Sequence, residues 1–119
     1  MKVNFKDEKA VLKLLLNIAI HLDEFDDKGI YDKVELPLTE DDLKLVKFKR
    51  TYHQTLDVYY KKAIMWARPG LSWDIPNNLD YKTNIGFVNI ARRACDSITI
   101  KLYDKEKRFW WNDFEDFFE

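Results

Sequence analysis

The sequence contains few of the residues that cross-link or interrupt a chain. Its 119 residues include one cysteine, three glycines, three prolines and two histidines. A single cysteine excludes an internal disulfide framework, so packing must hold the fold, as is usual in a reducing compartment. Sparse glycine and proline, with no repeat and no Gly/Ser linker, indicate one domain over residues 1–119. We therefore expect a cytoplasmic, single-domain protein.

The same scarcity argues against common metal and catalytic sites. Two histidines and one cysteine cannot supply a zinc-binding spacing, and no glycine-rich phosphate loop is present. Residues 24–35 approximate a calcium loop, but Lys28 falls on a ligand position and Pro37 obstructs the helix that should follow. Cys95 lies on the apolar face of a predicted helix, which favours an inert thiol. We expect no metal, no cofactor, no catalytic residue and no enzymatic activity.

No hydrophobic run is long enough to span a membrane. The most apolar stretch, residues 10–22, is interrupted by Lys13 and Asn17 and is shorter than the roughly 20 residues that a spanning helix needs. It also lacks the cationic start and the cleavage site of a signal peptide. We expect neither membrane insertion nor secretion.

Hydrophobic residues make up 46% of the chain and aromatic residues 15%, so the sequence predicts a folded core. Asp7 can cap a first helix that reaches about Leu22 with a narrow polar stripe. Thr39 can cap a second helix of about six turns, because large side chains recur at steps of three and four. These residues are Leu45, Phe48, Tyr52, Leu56, Tyr59, Ala63 and Trp66.

The last third of the chain allows two structures. Thr83 or Asn84 can cap a third helix, after which residues 97–103 alternate and could pair with a strand through the tryptophans. The spacing of Trp110, Phe114 and Phe117 instead favours a terminal helix. We therefore predict a mainly α fold, a small bundle of about four helices, with a short β-hairpin or edge strands as the open alternative.

Charge is segregated along the sequence although the formal net charge is only −1. Residues 1–43 carry −5, residues 44–108 carry +8 and residues 109–119 carry −4. The basic middle suggests a nucleic-acid-binding surface on the predicted central helices, since cations that contact phosphates supply much of such affinity. The candidates for this alternative function are Lys47, Arg50, Lys61, Arg92 and Arg93.

The chain ends in RFWWNDFEDFFE, which interleaves aromatic rings with four carboxylates. Aromatic anchors dominate the energetics of interfaces and charges steer association. Our leading hypothesis is a small non-enzymatic protein of inhibitor, immunity or accessory type, encoded by a phage or mobile element, that sterically occupies a protein partner. Homodimerisation stays open. The candidate partner-binding residues are Trp110, Trp111, Asp113, Phe114, Glu115, Asp116 and Phe118.

Overall fold

The computed structural model describes residues 3–24, 38–50, 56–67 and 84–112. Within these segments, helices and strands are both prominent. The helices are α1 (Glu8–Ile20), α2 (Glu40–Leu43) and α3 (Asn84–Ala94), with a short 3₁₀ helix at Leu22–Glu24. The strands are β1 (Lys47–Arg50), β2 (Leu56–Tyr60), β3 (Ala63–Ala67), β4 (Ser97–Leu102) and β5 (Lys105–Trp110).

The five strands form one antiparallel sheet in the order β1-β2-β3-β4-β5. Two-residue turns join β2 to β3 and β4 to β5, whereas α3 connects β3 to β4. Helix α1 contacts α3, β3 and β4, so the helices cover one face of the sheet. We call this helix-covered face the inner face and the opposite one the outer face.

The predicted helical bundle is therefore wrong, and the fold is α+β. The segment expected to form the six-turn second helix instead forms β1, β2 and β3. In β3, residues Ala63, Met65 and Ala67 are buried while Ile64 and Trp66 are only partly buried, which is the period of two of a strand. The three-and-four spacing combined residues from both faces of the sheet. β-Branched and aromatic side chains fit a pleated surface, and strand pairing overrode that spacing.

The predicted terminal helix is not formed at its start, because Trp110 is the last residue of β5. The alternating residues 97–102 form β4 and pair with β5, so the hairpin alternative is what the structure contains. Phe114 and Phe117 lie outside the described residues. The hairpin prevails because Ile98, Ile100 and Leu102 bury one face of β4 against the helices.

Helix α1 confirms the expected start at Asp7, whose carboxylate accepts a hydrogen bond from the Ala10 backbone N–H at 3.1 Å. Most of its circumference is buried, as the narrow polar stripe predicts, because α3 lies on one side and the sheet on another. Even Asn17 of that stripe is only 2% exposed. Among the described residues, no helix is long and apolar enough to cross a membrane.

The expected cap at Thr39 is also present, but the helix that it begins ends at Leu43. Thr39 and Asp42 form a capping box, and the Thr39 backbone N–H lowers the pKa of the Asp42 carboxyl. Glu40 lies 3.3 Å from Lys9 and 3.6 Å from Lys13, so ion pairs connect α2 to α1. Helix α3 confirms the third predicted helix.

The turn between β2 and β3 holds Lys61 at a φ of 52°, in the left-handed region that costs a non-glycine residue about 1 kcal/mol. We expect Lys61→Gly to raise the free energy of unfolding by about 0.5–1 kcal/mol in urea titrations. Lys62→Gly is the matched control. Lys62 has no positive φ, so its replacement by glycine should lower stability slightly. Equal effects at the two positions would contradict this account of the turn.

Candidate functional site

The outer face of the sheet combines aromatic rings with cations. The strand register places its side chains in rows that cross the sheet. One row is Lys47, Tyr59, Ile64, Lys101 and Glu106. The next is Lys49, Asp57, Trp66, Thr99 and Arg108, and a shorter row pairs Ser97 with Trp110.

Three rings occupy successive rows of the outer face. Tyr59 and Trp66 are half-buried, whereas Trp110 is 45% exposed. From strand spacings, Tyr59 and Trp66 are about 8 Å apart, and Trp66 and Trp110 about 12 Å. The rings therefore follow an oblique line of about 20 Å across the sheet. Thr99, which lies between Trp66 and Arg108 in its row, is buried.

Cations surround this line of rings. Four basic side chains share the outer face with two carboxylates, so the face carries a positive balance although the chain does not. Arg108 lies over the Trp110 ring, with its guanidinium carbon 5.2 Å from the ring centroid. The cations are Lys47, Lys49, Lys101 and Arg108, and the carboxylates are Asp57 and Glu106.

The adjacent tryptophans at the end of β5 lie in different environments. The Trp111 indole N–H donates to the Ala91 carbonyl at 3.3 Å, and the Trp111 backbone N–H donates to the Asp96 carbonyl at 3.1 Å. Its ring also meets Phe5 edge-on at 6.3 Å. Trp111 is thus fixed against α3 and the N-terminal segment, while the more exposed Trp110 remains accessible.

A cavity of about 370 Å³ opens beside Trp110, between the N-terminal segment, the end of α3 and the end of β5. Its apolar walls come from Phe5, Cys95, Trp110 and Trp111. Its polar lining comes from Arg92, Asp96 and Asn112. Within the segments that the structure describes, no cluster of three metal-ligating side chains occurs here or elsewhere.

Arg92 forms part of the cavity wall. Its guanidinium carbon lies 3.7 Å from the centroid of Phe5, and one terminal nitrogen lies 4.0 Å from a Glu8 carboxylate oxygen. Burial lowers the pKa of the Arg92 guanidinium, and Glu8 opposes that shift. An arginine keeps its proton across the physiological range, so Arg92 contributes a fixed positive charge.

The Cys95 thiol is buried, as the sequence predicts. Burial, followed by the nearby Asp96 carboxylate, raises its pKa to about 12.

At pH 8 the Cys95 thiol of the folded protein should react with iodoacetamide on the order of a thousandfold more slowly than that of the urea-unfolded chain, because the thiolate is the reactive species. Mass spectrometry of time-quenched samples measures the two rates. Comparable rates would show that the thiol is not held neutral.

The structure separates the residues proposed for nucleic-acid binding. Lys47 is exposed on the outer face and Lys61 is in the β2–β3 turn, while Arg92 and Arg93 are on α3 in the helical layer. Arg50 ends β1. These five residues therefore do not lie together on one helical surface.

Only two of the proposed partner-binding residues are described. Trp110 is accessible and Trp111 packs inward. The other five lie outside the described residues: Asp113, Phe114, Glu115, Asp116 and Phe118.

Sequence reasoning missed most of the outer face. The signal was the alternation of polar and aromatic residues with buried ones over residues 56–67 and 97–110, read on a period of two instead of 3.6. That period, combined with the strand register, places five further aromatic or basic residues on the same face as Lys47 and Trp110: Lys49, Tyr59, Trp66, Lys101 and Arg108. Comparison of the chain with protein-family models, with curated proteins and with solved structures found no match.

Proposed function

We propose that the protein is a non-enzymatic, cytoplasmic module that binds single-stranded nucleic acid across the outer face of its sheet. The observation that supports this proposal is the oblique line of Tyr59, Trp66 and Trp110 among four cations on one face. It keeps the nucleic-acid alternative drawn from the sequence but moves it from a basic helix to the sheet.

The rings suit bases that are not paired. Every nucleobase has a π face, and stacking on an aromatic side chain contributes about 1–3 kcal/mol per base. Bases in a duplex are stacked on one another and cannot reach these rings without being extruded. The 20 Å line would accommodate about three or four extended nucleotides at roughly one base per 6 Å.

The cations of the outer face are placed to contact the phosphates of the same nucleic-acid strand. Lys47 and Lys49 lie on β1, to one side of the rings, and Lys101 and Arg108 lie towards the other. A nucleic-acid strand that crosses the sheet obliquely would pass within reach of both pairs of cations. Such contacts release counterions and make binding weaken as salt rises.

A direct test compares a fluorescein-labelled T12 single strand with a 12-base-pair duplex by fluorescence anisotropy at about 50 mM salt. We expect saturable binding of the single strand and affinity at least tenfold weaker for the duplex, which would rely on the cations alone. Equal affinity would contradict a stacking platform. Absence of any binding at low salt would refute the proposed function.

Trp110 also favours a second candidate function, the occupation of a protein partner. A tryptophan that is 45% exposed on β5, the last strand of the sheet among the described residues, is an unusual side chain to leave at the surface, and such rings are common interface anchors. Here Arg108 stacks on the ring, so the partner would present a carboxylate near its own aromatic or apolar pocket.

A competition experiment distinguishes the two functions, because it asks whether a single-stranded oligonucleotide displaces captured host proteins. Captured host proteins that are released by a short single-stranded oligonucleotide would share the outer face with nucleic acid. Captured proteins that resist the oligonucleotide but are lost with Trp110→Ala would support the protein-binding candidate. Capture that is unchanged by Trp110→Ala would remove it.

A further inference from the structure

The cavity beside Trp110 has the chemistry of a base-recognition pocket. We propose that it binds one guanine base. This inference deepens the proposed function and rests on it for the source of the base, because Trp110 belongs both to the outer face and to the cavity wall. A nucleic-acid strand that extends past the line of rings at Trp110 would reach the cavity next.

The size and walls fit one planar heterocycle. A volume of about 370 Å³ exceeds that of a purine and leaves room for its sugar at the opening. Trp110 and Trp111 offer indole faces or edges, and Phe5 closes another wall. The buried Cys95 adds a neutral surface, since its thiol keeps its proton at physiological pH.

The polar lining distinguishes among the bases. Asp96 is an exposed residue, and its carboxylate lies close enough to the Cys95 thiol to raise the pKa of that group. An ionised carboxylate only accepts hydrogen bonds, so it selects a base edge with adjacent donors. Guanine alone presents two, at N1 and at the 2-amino group. Adenine and cytosine offer one amino group, and the single N–H of thymine lies between two carbonyls that would repel the carboxylate.

The remaining polar groups complete the match. The Asn112 side-chain amide can donate to an acceptor of guanine, such as O6 or N7. Arg92 places a positive charge in the same wall, so a base that approaches Asp96 does not meet uncompensated negative charge. The same Arg92 charge, already paired with Phe5 and Glu8, disfavours a cationic ligand such as a lysine side chain.

The test compares T12 with the same strand carrying one internal guanine, inosine or adenine, again by anisotropy. We expect the guanine strand to bind about tenfold more tightly than T12, as a bidentate base contact should allow. Inosine lacks only the 2-amino group and should lose most of that gain. Asp96→Asn should abolish the guanine preference while its T12 affinity and thermal midpoint stay unchanged.

A parallel titration with guanosine and adenosine monophosphates separates a strand-borne base from a free nucleotide. Binding of T12 without any guanine preference overturns this inference and leaves the proposed function standing. Guanine-selective binding of the free nucleotide that Asp96→Asn abolishes, without T12 binding, supports the pocket and refutes the strand platform. Absence of both refutes both.

Discussion

Replacing Tyr59 and Trp110 together by leucine should weaken binding of single-stranded T12 by on the order of a hundredfold, because two stacking surfaces are lost. Both rings lie on the outer face and neither supplies a fully buried side chain. The double variant should therefore keep its fold. Anisotropy at about 50 mM salt measures the affinity, and circular dichroism and the thermal midpoint report the fold.

The matched control is Tyr59→Phe with Trp110→Phe, which removes a hydroxyl and exchanges an indole for a smaller phenyl ring but keeps an aromatic ring at both positions. If stacking carries the affinity, this variant should stay within a few fold of the wild type. Equal losses in the leucine and phenylalanine variants would show that the rings act through some other contact. An unchanged leucine variant would remove the rings from the site.

Truncating Ile100 to alanine should lower the free energy of unfolding by about 2–5 kcal/mol. Ile100 is 0% exposed on the inner face of β4, an internal strand of the sheet. The truncation removes apolar burial and leaves a cavity that close packing cannot refill. Urea titration monitored by tryptophan fluorescence gives the value.

Lys101→Ala supplies the control one residue further along β4, on the outer face. A surface truncation of this kind should change stability by no more than about 0.5 kcal/mol. The contrast between adjacent positions tests the period of two itself. Comparable losses at both positions would contradict the assignment of inner and outer faces.

The local signals at the helix starts were sufficient to predict those starts. Asp7 and Thr39 act as caps because their side chains accept hydrogen bonds from backbone groups of the first turn, an interaction that depends on residues only a few positions away. Helix α3 was likewise recognisable from its own sequence.

The length of the second element was not predictable in the same way. Nothing within a few residues of Thr39 shows that the helix stops at Leu43 and that a strand begins at Lys47. That outcome depends on partners distant in sequence, as in the pairing of Met65 with Ile100. Over residues 45–66, aromatic residues at both spacings made the helical and strand interpretations compete, and tertiary pairing decided between them.

The candidate site was hidden for the same reason. Once the sheet order is known, Lys49, Trp66 and Arg108 fall into one row, although the outermost two are 59 positions apart in the chain. The helical interpretation grouped Arg92 and Arg93 with Lys47. In the structure Arg92 and Arg93 lie on α3, in the helical layer, whereas Lys47 lies on the sheet. Charge segregation along the sequence showed that residues 44–108 are basic, but only the register shows which of those residues share a surface.

The salt dependence of T12 binding tests most directly whether the outer face of the sheet binds the nucleic-acid strand. The Lys47→Gln/Lys49→Gln/Lys101→Gln variant removes three of the four outer-face cations. The Lys6→Gln/Lys44→Gln/Arg93→Gln variant removes three exposed cations outside that face and serves as the matched control. Affinity is measured for each protein from about 50 to 300 mM salt.

If the outer face binds the strand, the slope of log affinity against log salt should be about −3 for the wild type and for the control variant. The slope should be only about −1 for the outer-face variant, because each phosphate contact on a single strand contributes about −0.7 to the slope. Equal slopes in the two variants, or a loss confined to the control variant, would contradict the claim that this sheet face is the binding surface.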